Sequence, residues 1–160
     1  MNKTLWSLSK YHEGVVNKIK SLPVAIVLTL NNFKGGVGKS TLIAIFAYIM
    51  VQLKIKVLLI DSDPQRTLTK KMMKNFEVKK NASLSFMQGI RNNSLENCIT
   101  QLDDYLYIIQ GDWELATLDK FARTNLNQNN EYYLYSYLIE DLKKDFDLII
   151  FDSVPTTSLY

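Results

Sequence analysis

Short apolar runs alternate along the chain with segments in which apolar residues recur every three or four positions. The runs predict buried strands of a parallel sheet, since such strands are covered on both faces; they are Val24–Leu30, Ile55–Ile60, Tyr105–Ile109 and Leu148–Phe151. The periodic segments predict helices at Leu68–Asn75, Leu84–Ile90, Leu95–Leu102, Trp113–Arg123 and Glu131–Lys144. A further helix is expected from Lys39, with an apolar face of Leu42, Ile45, Phe46, Ile49 and Leu53. This order predicts a three-layer α/β domain with a mainly parallel sheet.

The first 22 residues have a pattern of their own. Apolar residues spaced by three or four, with lysines between them, predict a basic amphipathic helix that Gly14 interrupts; they are Leu5, Leu8, Tyr11, Val15, Ile19 and Leu22. Three roles are open for this N-terminal arm: docking on the domain or a partner subunit, contact with a membrane surface, or contact with nucleic acid. Residues 23–160 are expected to form the domain itself.

Composition narrows the class of protein. A chain of 160 residues, 47% hydrophobic and with only three prolines and six glycines, is typical of one globular domain. The single cysteine, Cys98, excludes an internal disulfide and a cysteine-based metal cage, so a reducing cytoplasm is the expected location. Apolar runs of about seven residues are too short to span a bilayer, which needs roughly 20, and no stable membrane insertion is expected.

Positive and negative charges are distributed unevenly between the two halves of the chain. The net charge is +3, but residues 1–80 carry +10 and residues 81–160 carry −7. Either the fold averages the two halves, or one side of the molecule faces a polyanion. A basic set is compatible with contacts to DNA phosphates or with a solvated helix face; it comprises Lys70, Lys71, Lys74, Lys79 and Lys80.

A glycine-bearing loop, Asn31–Gly38, follows the first predicted strand and leads into a helix. Glycines allow backbone N–H groups to surround phosphate oxygens, and the positive end of the helix dipole faces the same anion. Lys39 is placed to reach the β and γ phosphates, and the Ser40 hydroxyl to bind Mg²⁺. The strict phosphate-loop pattern is not met, because Phe33 stands where its first glycine belongs. The alternative is an ordinary glycine-rich turn with an incidental Gly-Lys-Ser.

Three motifs carry a family resemblance. Lys34-Gly35-Gly36-Val37-Gly38-Lys39-Ser40-Thr41 resembles the deviant Walker A loop of the ParA/MinD ATPases, which carries an extra lysine before the glycine pair. Asp61-Ser62-Asp63-Pro64-Gln65 resembles the D-x-D-P-Q segment of the family, and its Pro-Gln pair is typical of the ParA partition branch. Residues 146–155 resemble the Walker B strand and its Asp-x-Pro-Pro tail, with Val154 in place of the first proline.

The resemblance implies a role for each motif residue. Lys39 and the loop amides would hold the β and γ phosphates of ATP, a cofactor-binding set of Lys34, Gly35, Gly36, Val37, Gly38, Lys39, Ser40 and Thr41. Ser40 and Asp152 would hold Mg²⁺, with Asp61 in support, and Asp63 would position the attacking water. Lys34 would reach the nucleotide of a facing subunit. The alternative for Asp61 and Asp63 is capping of the following helix.

The implied function is that of a ParA-type partition ATPase. Such a protein forms an ATP-dependent homodimer, binds DNA non-specifically, and hydrolyses ATP under stimulation by a ParB-like centromere-binding partner, in the cytoplasm and associated with the nucleoid. Two alternatives stay open: a MinD-type ATPase acting at the membrane, and a truncated, catalytically silent binding fragment.

The resemblance also implies how the strands are arranged. The expected order is Tyr105–Ile109, Ile55–Ile60, Leu148–Phe151 and Val24–Leu30, which leaves the last strand as a bare edge. The chain resembles roughly the first three-fifths of a family member, that is, the N-terminal part of the fold. We therefore expect it to be a truncated product or a fragment.

Overall fold

A five-stranded sheet runs through the computed structural model, which describes residues 10–30, 38–125 and 133–153. Its strands are β1 (Ile26–Leu30), β2 (Val57–Asp61), β3 (Ile99–Gln101), β4 (Leu106–Ile109) and β5 (Leu148–Asp152). The order is β1-β5-β2-β4-β3, with every pair parallel except the antiparallel pair of β3 and β4. The predicted order of the four parallel strands is confirmed.

Helices cover both faces of this sheet. They are α1 (Lys10–Lys20), α2 (Lys39–Gln52), α3 (Thr67–Asn75), α4 (Phe86–Arg91), α5 (Leu118–Asn125) and α6 (Leu134–Leu138), and 3₁₀ turns lie at Glu96–Cys98, Trp113–Thr117 and Asp141–Lys144. Side chains alternate across β2, so that Val57 and Leu59 join a core with α2 and α3, while Leu58 and Ile60 join a second core with α4. The predicted three-layer α/β architecture is confirmed.

The predicted helix Leu95–Leu102 is wrong. The segment forms one 3₁₀ turn, Glu96–Cys98, and then the edge strand β3. The β-branched pair Ile99 and Thr100 faces Ile109 and Ile108 of β4. A strand that pairs with a buried neighbour gains ladder hydrogen bonds that periodicity within the segment cannot reveal.

Two further helices are shorter than the pattern predicts. Within Glu131–Lys144, the described part holds only the five-residue α6 and the 3₁₀ turn Asp141–Lys144. The tyrosines of this segment are modest helix formers, which favours short pieces. The segment Trp113–Arg123 begins as a 3₁₀ turn capped by Asp112, whose carboxylate accepts the Glu114 N–H at 3.0 Å, and becomes α-helical at Leu118.

The apolar face predicted for α2 packs on the sheet only in part: Phe46 and Leu53 are partly buried against the core. Ile43 and Ala47 are its buried residues, whereas Leu42, Ile45 and Ile49 are about half exposed. This helix is apolar around most of its circumference, so its sequence gives no clear direction for the buried stripe. Small Ala47 at the contact lets the helix lie close to the strands.

Strand β1 differs from the other predicted buried strands because it lies at the edge of the described sheet. Its residues alternate between partly buried and exposed, and Val27 is 39% exposed. A strand at an edge has neighbours on one side only, so a continuous apolar run does not guarantee cover on both faces. The prediction that both faces of the strand are buried is therefore wrong for β1. It is correct for β2 and β5, which are buried throughout.

The N-terminal arm contains α1, which continues through Gly14. Val16 and Ile19 pack against the core that α2 shares with the sheet. This contact agrees with the docking role, and the division into an arm and a domain stays a prediction. Within the described ranges, no helix has the length and apolar character required to cross a membrane.

Hydrogen exchange should distinguish the two sides of β1. The Ile26 N–H donates to the Asp147 carbonyl at 3.0 Å, so alternation directs the amides of Val27 and Thr29 away from β5. We expect these two amides to exchange at least about tenfold faster than that of Leu28, the control on the paired side of the same strand. Equal protection at all three would show that the outer side of β1 is covered.

Candidate functional site

Three neighbouring strands end at the same level of the sheet. Asp152, the last residue of β5, pairs in register with Leu30 at the end of β1 and with Asp61 at the end of β2. Ligands of open α/β sheets bind at this carboxyl edge of the strands. Two carboxylates predicted from separate motifs are thus side by side where the chemistry is expected.

Helix α2 begins at the same edge. Gly38, its N-cap, has a φ of +85°, a left-handed conformation that suits glycine, and its carbonyl accepts the Leu42 N–H at 2.9 Å. Lys39 and Ser40 are partly buried in the first turn, and Thr41 is exposed. No helix carbonyl can pair with the amides of the first turn, and these amides, with the positive dipole end of the 14-residue helix, favour an anion at this position. Lys34, Gly35, Gly36 and Val37 of the predicted loop lie outside the described residues.

Asp152 is fixed by its backbone and open at its side chain. Its carbonyl accepts two bonds of 3.0 Å from Ser62, one from the N–H and one from the hydroxyl. Its carboxylate is hydrogen-bonded to the Ser40 side chain. The second oxygen, Oδ2, is buried and has no hydrogen-bond partner within the described part of the chain.

Burial raises the pKa of Asp152, because a charged carboxylate loses solvation inside the protein. The Ser40 hydrogen bond and the nearby Lys39 ammonium lower this pKa, and the charge of Asp63 raises it further. The net direction is upward, so the site holds its negative charge at a cost. A cation at Oδ2 would offset that cost.

Asp61 uses its carboxylate to hold the neighbouring segment. Oδ2 accepts the Thr69 N–H at 2.8 Å and the Thr69 hydroxyl at 2.6 Å, and Oδ1 accepts the Asp63 N–H at 3.2 Å. Thr69 is the third residue of α3, so Asp61 caps this helix, while Arg66 at the N-cap position makes no side-chain cap bond. Desolvation raises the pKa of Asp61, and the bonds from Thr69 and Asp63 oppose that rise.

Asp63 lies in the turn between β2 and α3. Its Oδ1 accepts the Gln65 N–H at 2.8 Å, and its carbonyl accepts the Arg66 N–H at 2.9 Å. Unlike Asp61, which is fully buried, Asp63 is partly exposed. Arg66, with a φ of +60°, turns the chain into α3 in a conformation that is uncommon for a residue with a side chain. The Asp63 carboxylate is therefore oriented by its own turn and accessible to water.

The structure brings together Lys39, Ser40, Asp61, Asp63 and Asp152, the part of the predicted site that lies within the described residues. Four further residues build the surroundings, namely Ser62, Thr69, Gly111 and Ser153. Ser62 and Ser153 lie within the predicted motifs but had no predicted role, and no sequence pattern pointed to Thr69 or Gly111. The Ser153 hydroxyl donates to the Leu30 carbonyl at 3.3 Å. The bonds of these four residues join positions up to 123 apart, so short-range patterns could not identify them. The Ser40 hydroxyl and the open Asp152 oxygen are the hard oxygen donors that Mg²⁺ prefers, so they fit this ion.

Comparison with known proteins identifies a family model and several relatives that this chain matches. The model of a family described as an AAA domain, AAA_31, matches residues 25–160. The chain is similar to an uncharacterised protein of Methanocaldococcus jannaschii, 25% identical over 84% of this chain and 52% of the relative. It is also similar to an uncharacterised ATP-binding protein of the same organism, 31% identical over 78% of this chain and 42% of the relative.

Solved structures share the fold. Cobyrinic acid a,c-diamide synthase from Mycobacterium smegmatis, with a bound ATP analogue and magnesium, gives a TM-score of 0.71 at 25% identity, over 84% of this chain and 53% of the other. A McdA variant from Cyanothece in complex with ATP gives 0.72 at 22%, over 86% and 51%. A plasmid partition protein from Borrelia burgdorferi gives 0.67 at 23%, over 84% and 58%. The chain thus spans about half the length of the proteins that it matches.

The buried charge of Asp152 should lower stability at neutral pH. A carboxyl group whose pKa is raised by folding contributes stability below its unfolded pKa of 3.8, and loses it as the pH rises through the folded value. We expect Asp152→Asn to raise the free energy of unfolding at pH 7 by on the order of 1 kcal/mol, and to give no gain below pH 3.8. Urea denaturation at several pH values measures this difference.

The control is Asp145→Asn, at an exposed position. It should give no gain that grows with pH. A loss of stability in Asp152→Asn at neutral pH would show that the carboxylate is held favourably and would contradict the prediction.

Proposed function

The chain belongs to the AAA_31 family of AAA domains, and we propose that it binds ATP with Mg²⁺ and hydrolyses it as a ParA-type partition ATPase. Family membership agrees with the ParA/MinD resemblance of the three motifs, all of which lie within the matched residues 25–160. Relatives with bound ATP or an ATP analogue support the choice of nucleotide. The activity and partners of a whole family member are proposed for this chain rather than carried over from its relatives.

The observation that carries the proposal is the open oxygen of Asp152. Among the described residues this buried oxygen, Oδ2, has no hydrogen-bond partner. Buried polar atoms of this kind are rare, because their loss of solvation is uncompensated. Here it lies beside the Ser40 side chain and the Lys39 cation, at the first turn of α2. A divalent cation with a phosphate anion is the ligand that satisfies all three groups.

Each described residue then has a task in ATP binding. The amides of the α2 first turn and the Lys39 ammonium bind the β and γ phosphates. Ser40 and Asp152 would hold Mg²⁺, which when bound neutralises the charge of the phosphates. Phosphoryl transfer depends mainly on such positioning and charge neutralisation.

Hydrolysis additionally requires an ordered water molecule. Asp63 is partly exposed, and its carboxylate is oriented by the Gln65 N–H at 2.8 Å, so it can accept a hydrogen bond from the attacking water. Asp61 helps to hold Asp63 in place, because its carboxylate accepts the Asp63 N–H. We assign Asp63 to water positioning and Asp61 to the support of this segment and of the metal surroundings.

The finer function is plasmid or chromosome partition. The Pro64–Gln65 pair resembles the partition branch, and the plasmid partition protein of Borrelia burgdorferi shares the fold. We propose an ATP-dependent homodimer in which Lys34 contacts the nucleotide of the facing subunit, non-specific DNA binding, and a ParB-like partner that stimulates hydrolysis. The exposed Lys70 and Lys74 of α3 are compatible with DNA phosphates.

A diamide synthase has the same fold, so fold alone does not decide between partition and synthesis. The distinguishing measurement is ATP turnover with no second substrate. Hydrolysis needs only water, whereas a synthase couples turnover to its acceptor. Turnover by the chain alone supports the partition reading, and turnover that depends on an added carboxylate substrate contradicts it.

Lys39→Ala should abolish ATP–Mg²⁺ binding. No other described side chain in the first turn of α2 supplies a cation at the β and γ phosphates. We expect isothermal titration to show at least about a hundredfold loss of affinity. Lys120→Ala, at an exposed position of α5, is the control and should bind as the wild type does. Unchanged affinity in Lys39→Ala would contradict the phosphate-loop assignment.

Asp63→Ala and Lys34→Ala should fail in different ways. A water-positioning residue acts mainly in the transition state, so Asp63→Ala should keep ATP binding, lower hydrolysis by about a hundredfold, and prolong the ATP-bound dimer. Lys34→Ala should instead weaken ATP-dependent dimerisation. Light scattering after addition of ATP distinguishes the two, and identical behaviour would contradict this division of roles.

A further inference from the structure

Thr69 is buried at the start of α3 and has no task in the mechanism above. It is 1% exposed. Its hydroxyl donates to Asp61 Oδ2 at 2.6 Å and accepts the Gly111 N–H at 2.8 Å, and its own N–H donates to the same Asp61 oxygen at 2.8 Å. Buried hydroxyl groups need such partners. Thr69 therefore joins β2, α3 and the segment after β4 through one side chain.

Gly111 touches the same segment directly. A Cβ at this position would lie 3.0 Å from the Asp63 carbonyl oxygen and 3.1 Å from Asp61 Cγ, closer than ordinary van der Waals contact. A third neighbour is Arg66 Cγ at 3.1 Å. The backbone oxygen and the carboxyl carbon cannot move aside as the end of a flexible side chain can. The Gly111 backbone therefore packs closely against residues 61–63.

We propose that Thr69 is a positioning residue for ATP hydrolysis: it links the Gly111 amide to the Asp61 carboxylate and so fixes the Asp61–Asp63 segment that presents Asp63 to water. The relay of hydrogen bonds is continuous, from the Gly111 N–H to the Thr69 hydroxyl, from the hydroxyl to Asp61, and from Asp61 to the Asp63 N–H at 3.2 Å. The inference rests on the proposed function, in which Asp63 positions the attacking water.

The relay acts on turnover more than on nucleotide affinity. Lys39 and Ser40 belong to α2, and among the described residues no hydrogen bond joins them to the relay, whereas Asp63 is joined to it through its backbone N–H. A loss of the hydroxyl removes one of the three bonds to Asp61 and the acceptor of the Gly111 N–H. Water positioning tolerates little displacement, so a shift in residues 61–63 affects the transition state first.

The first test uses Thr69→Val, which keeps the β-branched shape and removes the hydroxyl. We expect kcat for ATP hydrolysis to fall at least about tenfold while the Kd for ATP–Mg²⁺ stays within about twofold. Thr69→Ser, which restores the hydroxyl, should recover most of kcat. Thr67→Val, at an exposed position of the same helix, is the matched control and should leave kcat unchanged.

The second readout is hydrogen exchange, which needs no turnover. In Thr69→Val the amides of Gly111 and Asp63 should exchange at least about tenfold faster, and Thr69→Ser should restore their protection. If the wild-type chain hydrolyses no ATP, the proposed function fails, and these two amides still decide whether the relay orders residues 61–63. Unchanged exchange at both would overturn the relay.

Gly111→Ala tests the same segment without removing a hydrogen bond, and serves if Thr69→Val does not fold. Its methyl group displaces residues 61–63, so kcat should fall while ATP binding persists. Gly14→Ala is the matched control, because a Cβ there meets nothing within 4 Å. The proposal is overturned if Thr69→Val or Gly111→Ala turns over ATP at the wild-type rate, or if Thr69→Ser is as slow as Thr69→Val.

Discussion

The site depends on one constraint, the parallel pairing of β5 with β1 on one side and β2 on the other. The register places Leu30, Asp152 and Asp61 at one level, so residues from three distant parts of the chain meet at the carboxyl edge. Ser62 extends this alignment beyond the strands through two bonds to the Asp152 carbonyl. A change of register by one residue would turn each of these side chains to the opposite face of the sheet.

The alignment places two buried carboxylates side by side, and their hydrogen-bond partners differ. The carboxylate of Asp61 accepts three hydrogen bonds, two from Thr69 and one from Asp63, and so holds the start of α3 in place. Asp152 keeps one oxygen open beside Ser40 and Lys39. Burial raises the pKa of both groups, and among the described residues Asp152 Oδ2 has no hydrogen-bond partner, whereas both oxygens of Asp61 accept hydrogen bonds. The buried charge of Asp152 thus lowers stability, and a cation bound at its Oδ2 would offset that loss.

The sequence was informative where one residue type meets a physical need that is local. Buried runs such as that of β2 predicted strands, and Asp61 and Asp152 do meet at the carboxyl edge where their positions at strand ends place them. The three motifs predicted the family, which is confirmed. The sequence was uninformative where an element depends on contacts with residues distant in the chain. Strand β3 forms because β4 offers a partner, and the buried stripe of α2 is chosen by the sheet. Thr69 reaches Asp61 only because α3 folds back over the end of β2.

The two outer strands give the sheet unequal ends. The outer side of β3 is partly occupied by Lys80, which bridges to Gln101 in antiparallel fashion, whereas Val27 and Thr29 of β1 direct their polar groups away from β5. A second copy that adds its own β1 at this edge pairs identical strands. Such a contact is two-fold symmetric and closes on itself, because each molecule then has no equivalent edge left. A pairing of β1 with β1 therefore closes as a pair, whereas a pairing of β1 with the partly occupied edge of β3 would leave a free edge on each copy.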